Sequence, residues 1–185
     1  PQREALLRDL GDMARLINDL LESERLAVRH AALHLEDTDV AALAREVIDE
    51  LAIPQPRARD IQLQASEELR PHRLDRVRLR LLLRNLLDNA LRHSAQAPLP
   101  TELHIRREGG DLILEVRAHG PGVPEGQLAQ LAQPFFRPDA ARSRGTGGVG
   151  LGLYLCRLVA QAHGGSLTLS NAQPGLAVTV RLPPA

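Results

Sequence analysis

Residues 84–94 read Arg84-Asn85-Leu86-Leu87-Asp88-Asn89-Ala90-Leu91-Arg92-His93-Ser94. Two patterns are superimposed in this stretch. Leu79, Leu82, Leu83, Leu86, Leu87, Ala90 and Leu91 recur at three- and four-residue spacing, which predicts a helix from Asp75 to Arg92 with a wide apolar face. Asn85, Asn89 and Arg92 or His93 recur at the same period on a different face. Amides on a leucine-rich helix need partners if buried. An Asn carbonyl oxygen is a hard ligand suited to Mg2+, a metal that keeps several waters and bridges phosphates. Arg92 can pair with phosphate, and His93 can reach a sugar or phosphate oxygen. A solvated polar stripe is the plainer reading of a single Asn; two on one face favour a ligand.

Outward from this helix lie two glycine clusters. Gly145-Thr146-Gly147-Gly148-Val149-Gly150-Leu151-Gly152-Leu153 opens into a helix from about Gly150 to Ala162. Glycines let the backbone approach a ligand, and a helix start directs N–H groups and partial positive charge at it, so the pair suits phosphate. A flexible linker is the bland alternative. Ala118-His119-Gly120-Pro121-Gly122-Val123-Pro124 follows a predicted strand and makes a turn against which a flat ring can lie, though such turns are also ordinary loops. Between Val123 and Gly147 stand Pro124, Pro134, Pro138 and the pair Phe135-Phe136, a connection long enough to be a lid or binding loop.

The remaining elements follow from period and punctuation. A strand is expected at Leu33–Glu36, then a helix from about Asp39 to Leu51 with Asp37 and Thr38 as cap candidates, ended by Pro54 and Pro56. Ile61, Leu63 and Ala65 alternate as a strand. Thr101–Arg107 and Asp111–Arg117 form a hairpin across Gly109-Gly110, and Ser166–Ser170 and Leu176–Leu182 close the chain as strands. The fold class expected is α+β: a two-layer α/β sandwich, a mixed sheet covered by helices on one face. A long helix over residues 1 to about 30 precedes it, with Leu6, Leu10, Met13, Ile17 and Leu20 as a heptad seam that needs a partner helix.

The 185 residues are 43% apolar and 25% charged, which is enough for a core and excludes a disordered tail or a disulfide-stapled miniprotein. Basic and acidic residues balance at 23 each, so no net field draws in nucleic acid or an anionic membrane. The basic run Arg70, Arg73, Arg76, Arg78, Arg80 and Arg84 is read as a solvated face, because three aromatics in the whole chain make no stacking platform. The single Cys, Cys156, falls among Leu151, Leu155, Leu158 and Val159 and reads as a buried thiol in a reducing compartment. No apolar run has the length of a membrane span, and no signal peptide is expected.

Together the stretches resemble the ATP-binding catalytic domain of bacterial sensor histidine kinases, in the family that includes gyrase, Hsp90 and MutL. Residues 84–94 look like its N box, Gly120-Pro121-Gly122 its first glycine box, Phe135-Phe136-Arg137 its F box, and Gly147–Leu153 its second glycine box; His163-Gly164-Gly165 matches the turn before the closing strands. The resemblance covers 35–185, the ATP-binding domain, while 1–34 is similar to the second helix of the dimerisation and phosphotransfer module. It implies ATP and Mg2+ as cofactors, with Asn89 holding the metal. It implies an ATP pocket lined by Asn85, Asn89, Arg92, His93, Ala118, Gly120, Gly122, Val123, Phe135, Phe136, Gly147, Gly148, Val149, Gly150, Leu151, Gly152 and Leu153. Asn85 stands where hydrolytic relatives carry a Glu that activates water; an amide is no general base, so the site should spare ATP for transfer. Arg92, Arg142 and Arg144 would neutralise the transferring phosphoryl group. The segment from Val123 to Gly147 would be the lid, anchored by Phe135 and Phe136.

The implied whole is a homodimer through the N-terminal helix, the cytoplasmic part of an inner-membrane-anchored sensor with upstream sensing segments. It phosphorylates its own His and passes the group to a cognate response regulator, and it does not bind nucleic acid. Two departures stand out. None of the seven histidines is followed by Asp or Glu, so the phospho-accepting His is expected upstream of Pro1. The family's first glycine box begins with an Asp that selects adenine through its amino group; here that position is Ala118, which should weaken nucleotide binding by about 1–3 kcal/mol. An introduced substitution and a natural loss of catalytic power both fit. The rival readings are a nucleotide-independent pseudokinase acting through dimer contacts, a clamp-type ATPase, and an anti-sigma Ser kinase of the same fold.

Overall fold

Alternation along the strands fixes which way the sheet faces. In a computed structural model, the described residues are 32–67, 69–138 and 150–185, with Leu10, Gly11, Ala14, Ile17, Asn18, Leu20, Leu21 and Arg25. Five strands form one mixed sheet: β2 (Gln62–Ala65), β4 (Glu102–Glu108), β5 (Asp111–Ala118), β7 (Leu176–Leu182) and β6 (Ser166–Asn171), in that spatial order. β2 runs parallel to β4; the other neighbours are antiparallel. Leu103, Ile105, Leu112, Leu114, Val116, Val178, Val180 and Leu182 are buried on one face. The other face carries exposed ion pairs, Arg106 with Glu108 and Glu115 at 2.8 and 3.2 Å, and Arg181 with Asp111 and Glu108 at 2.8 and 2.9 Å. Such pairs contribute about 0–1 kcal/mol each, so cohesion comes from the apolar face.

Three helices cover that face: α1 (Val40–Ala52), α2 (Arg76–His93) and α4 (Gly152–Ala162); α3 (Glu125–Leu128) is one short turn. All seven apolar residues predicted on α2 are buried, and each leucine contributes about 1.5–3 kcal/mol by leaving water. Cys156 is fully buried, its thiol donating to the Leu82 carbonyl at 3.5 Å. The two-layer sandwich expected from the sequence is therefore present.

Local details differ from the expectations. The cap of α1 is Asp39, whose carboxylate accepts from the Ala42 N–H at 2.9 Å, and neither Asp37 nor Thr38 serves. Both of those belong to β1 (Leu35–Thr38), where Thr38 donates to the Glu36 carbonyl. β1 pairs antiparallel with β3 (His72–Asp75), a strand that the sequence did not suggest. Asp75 ends β3 and caps α2, accepting from the N–H groups of Arg78 and His34, both at 3.1 Å. The basic run is not merely solvated: Arg76 binds Glu46 at 2.8 Å, and Arg80 pairs with Glu46 and Glu50, tying α2 to α1. Leu6 and Met13 of the N-terminal seam lie outside the described residues; Leu10, Ile17 and Leu20 are helical and solvent-exposed. No helix among the described residues is long and apolar enough to cross a membrane.

His163, at the C-terminus of α4, joins that helix to the start of α2. Its Nε2 accepts from the Asp75 N–H at 3.1 Å, so the proton sits on Nδ1, which donates to the Val159 carbonyl at 2.8 Å. Burial holds its pKa below the ordinary value of 6.5. The unfolded chain therefore takes up this proton at a higher pH than the folded one. The contribution is complete above about pH 6.5 and is lost as pH falls through the lower folded value. Urea unfolding midpoints should fall on acidification from pH 7 to 5 more steeply in the wild-type chain than in His163→Gln. Equal slopes would remove His163 from the account.

Candidate functional site

The polar stripe of α2 faces the first turn of α4. Asn85 is half-buried, and its Nδ2 donates to the Leu81 carbonyl one turn back at 3.0 Å. That bond turns Oδ1 away from its own helix, toward Gly152. A Cβ on Gly152 would meet Asn85 Oδ1 at 3.3 Å, tighter than ordinary contact. Asn89, one turn further along α2, is half-buried, and among the described residues its side chain has no hydrogen-bond partner. Arg92 Nε lies 3.0 Å from Asp88 Oδ2, and Asp88 Oδ1 accepts from Gln55 Nε2 at 2.6 Å. Arg92 is thus held beside the stripe by a carboxylate from its own helix. His93 is exposed at the end of the stripe.

The N-terminus of α4 has no side-chain cap: Leu151 occupies the cap position and is buried at 2% exposure. The leading N–H groups of such a helix need acceptors from elsewhere, and an anion supplies them. Gly150 precedes it at φ +82, with its Cβ direction filled by the Phe136 carbonyl at 2.6 Å, and its own carbonyl accepts from Phe135 N–H at 3.0 Å. The aromatic pair is therefore brought onto the glycine run by the backbone. Phe136 packs against the core, whereas Phe135, at φ +64, is 55% exposed, so one ring of the two is anchored. Leu153 is buried. Arg142, Arg144, Gly147, Gly148 and Val149 lie outside the described residues, as does the rest of the expected lid segment between 139 and 147.

The first glycine loop is held from three directions. A Cβ on Gly120 would collide with the His93 carbonyl, which presses the loop onto the end of α2. The His119 N–H donates to Ser94 Oγ at 3.0 Å, just beyond the same helix. Beyond Gly122, at φ +72, the backbone of Val123 is clamped by Asn171 of β6, which accepts from its N–H at 3.1 Å and donates to its carbonyl at 2.7 Å. Ala118, the last residue of β5, is buried, and Gly175, at φ +97, leaves the space that the Ala118 carbonyl fills. Behind the loop, the buried His119 Nε2 lies 2.8 Å from Glu102 Oε1, and His104 Nε2 lies 2.8 Å from Oε2. First His104, then His119, hold the Glu102 carboxyl below its ordinary pKa. His104 is thus part of a network and not an isolated surface residue. Sequence reasoning missed Ser94 and Asn171 as loop anchors; Gly175, after Pro174 in a turn, carried at least a turn signal.

The family described as histidine kinase-, DNA gyrase B- and HSP90-like ATPase matches residues 74–185. That span contains both helices and both glycine segments. This chain belongs to that ATPase family. Similar curated relatives are the signal transduction histidine-protein kinase AfsQ2 of Streptomyces coelicolor, 35% identical over 99% of this chain and 34% of its own length, and the sensor histidine kinase YkoH of Bacillus subtilis, 36% identical over 96% and 38%. A crystal structure of full-length ShkA in complex with AMPPNP is similar at TM-score 0.81 and 27% identity, over 98% of this chain and 38% of that one. The chain spans between a quarter and two fifths of the length of the curated relatives it matches.

The Asn171 clamp carries a measurable load. Asn171→Ala should lower unfolding stability by about 1–3 kcal/mol in urea, since it leaves the Val123 N–H and carbonyl without their partner. A loss below a few tenths of a kcal/mol would mean that the loop holds itself.

Proposed function

We propose that this chain is the ATP-binding, phosphoryl-donating part of a sensor histidine kinase. The observation that carries the reading is the approach of the Asn85–Asn89 stripe to the uncapped, glycine-led start of α4. It brings hard amide oxygens and helix N–H donors without a side-chain cap to one place, the chemistry that a Mg-triphosphate needs. The order of boxes in the sequence and the sensor-kinase identity of the relatives support it.

In this reading Asn89 holds Mg2+, which when bound neutralises and orients the phosphates. The N–H groups at the start of α4 receive phosphate oxygens. Asn85 is already committed through its Nδ2 to Leu81 and has no basic group to take a proton from water. A presented imidazole attacks the γ-phosphorus, the bond to the β–γ bridging oxygen breaks, and ADP leaves with that electron pair. Arg92, released from Asp88, and Arg142 and Arg144 offset the charge of the transferring group. Gly120, Gly122 and Val123 wall the base side, and Phe136 anchors the lid. We assign residues 1–34 to a dimerisation helix and 35–185 to the ATP-binding domain; the exposed row Leu10, Ile17 and Leu20 supports a helical partner from a second subunit. The accepting His lies elsewhere in the full sensor, a membrane-anchored protein with this part in the cytoplasm, and a response regulator Asp receives the group.

Ala118 favours a second reading, a pseudokinase that signals through dimer contacts without nucleotide. Titration calorimetry with Mg-ATP separates the two. Wild-type chain should bind weakly, and Ala118→Asp should bind about 5- to 150-fold more tightly, as expected for regaining one buried polar contact. Adding Asn89→Ala to the Ala118→Asp variant should remove most of the Mg2+-dependent part of that affinity. No heat from either chain at millimolar nucleotide would defeat the kinase reading; steady phosphate release without a His acceptor would favour a clamp ATPase.

A further inference from the structure

Where the resemblance implies a base-selecting Asp this chain has Ala118, and just before the adjoining strand stands a buried polar group with no hydrogen-bond partner among the described residues. The register that sets Glu102 against Arg117 continues to Thr101 beside Ala118. Thr101 lies two residues before the core residue Leu103, and Ala118 two after the core residue Val116, so both point to the helix-covered side of the sheet. Thr101 is 3% exposed, and its Oγ1 has no hydrogen-bond partner among the described residues. The Gln62 N–H donates to the Thr101 carbonyl at 2.9 Å, which fixes the backbone there. Of the other buried unpartnered atoms, Arg117 Nε and His119 Nδ1 belong to side chains on the opposite side of this hairpin, the side of Glu102. Ser94 Oγ, nearby at the end of α2, already accepts from the His119 N–H. A buried hydroxyl without a partner is unfavourable, and it persists where a ligand completes it.

We propose that Thr101 supplies the base-recognising group that Ala118 lacks, and that the site consequently takes 6-amino and 6-oxo purine nucleoside triphosphates alike. The proposal rests on the nucleotide-binding reading above. The chemistry behind it is the donor and acceptor inventory. A carboxylate only accepts, so it selects a base that presents an amino group. A hydroxyl both donates and accepts and rotates to suit. Toward adenine it can accept from the 6-amino group or donate to N1; toward hypoxanthine it can donate to O6 or accept from N1–H. The β-branched side chain keeps the hydroxyl in a narrow range of positions, so it is ready without further ordering.

The test is calorimetry with the Mg2+ salts of ATP and of inosine triphosphate on wild-type chain, Thr101→Val, Thr101→Ser and Ala118→Asp. Wild-type chain should bind the two nucleotides within about threefold of each other. Thr101→Val, which keeps the shape, should weaken both by about tenfold. Its unliganded melting temperature should be no lower than wild type, because the lost hydroxyl has no partner among the described residues. Thr101→Ser should keep wild-type affinity for both. Ala118→Asp should prefer ATP by about tenfold or more. A wild-type preference for ATP above tenfold, or Thr101→Val binding like wild type, would overturn the proposal. If Ala118→Asp binds ATP while wild type binds neither purine, the proposal falls and the kinase reading stands. If no chain binds either nucleotide, both fall together.

Discussion

The closeness of two helices governs this molecule. α2 and α4 lie side by side on the sheet, joined at one end by His163 bonding to the start of α2 and in the middle by the Cys156 thiol on the Leu82 carbonyl. At the far end of α4 the approach brings Asn85 Oδ1 against Gly152, where a side chain of any size would fill the gap. The apolar faces of both helices set this distance, and the polar stripe meets the uncapped start of α4 because of it. Packing and chemistry are coupled there: the leucines that stabilise the domain position the amides that would hold a metal.

A second constraint shapes the base side. The first glycine loop is held by polar groups from three elements: Ser94 after α2, Asn171 on β6 and the turn at Gly175. The aromatic pair behaves differently, since the half-buried Phe136 packs against the core and Phe135 projects into solvent from a left-handed backbone. The segment that leads to residue 138 is thereby anchored by one ring.

The parts that were legible in the sequence are those encoded by local period. The leucines of α2, the hairpin across Gly109 and Gly110 (φ +60 and +97) and the helix after the glycine run each carry their signal within one or two turns of chain. The α2 stripe was readable for the same reason. β3 was not: His72-Arg73-Leu74-Asp75 is a short polar segment whose strand character comes from pairing with β1, far away in the chain. Asn171 and Thr101 were equally silent, since one clamps a loop 48 residues distant and the other matters for a hydroxyl left without a partner. Asp39 displaced Asp37 and Thr38 as the cap because those two were already used in β1, a competition that propensity does not register.

The most direct test of the account is a crystal structure of this chain with Mg2+ and a non-hydrolysable ATP analogue. The account predicts the triphosphate between the α2 stripe and the first turn of α4, with Asn89 Oδ1 as a ligand of the Mg2+. An analogue bound with the Asn89 side chain turned away from its phosphates, or bound elsewhere on the domain, would contradict it.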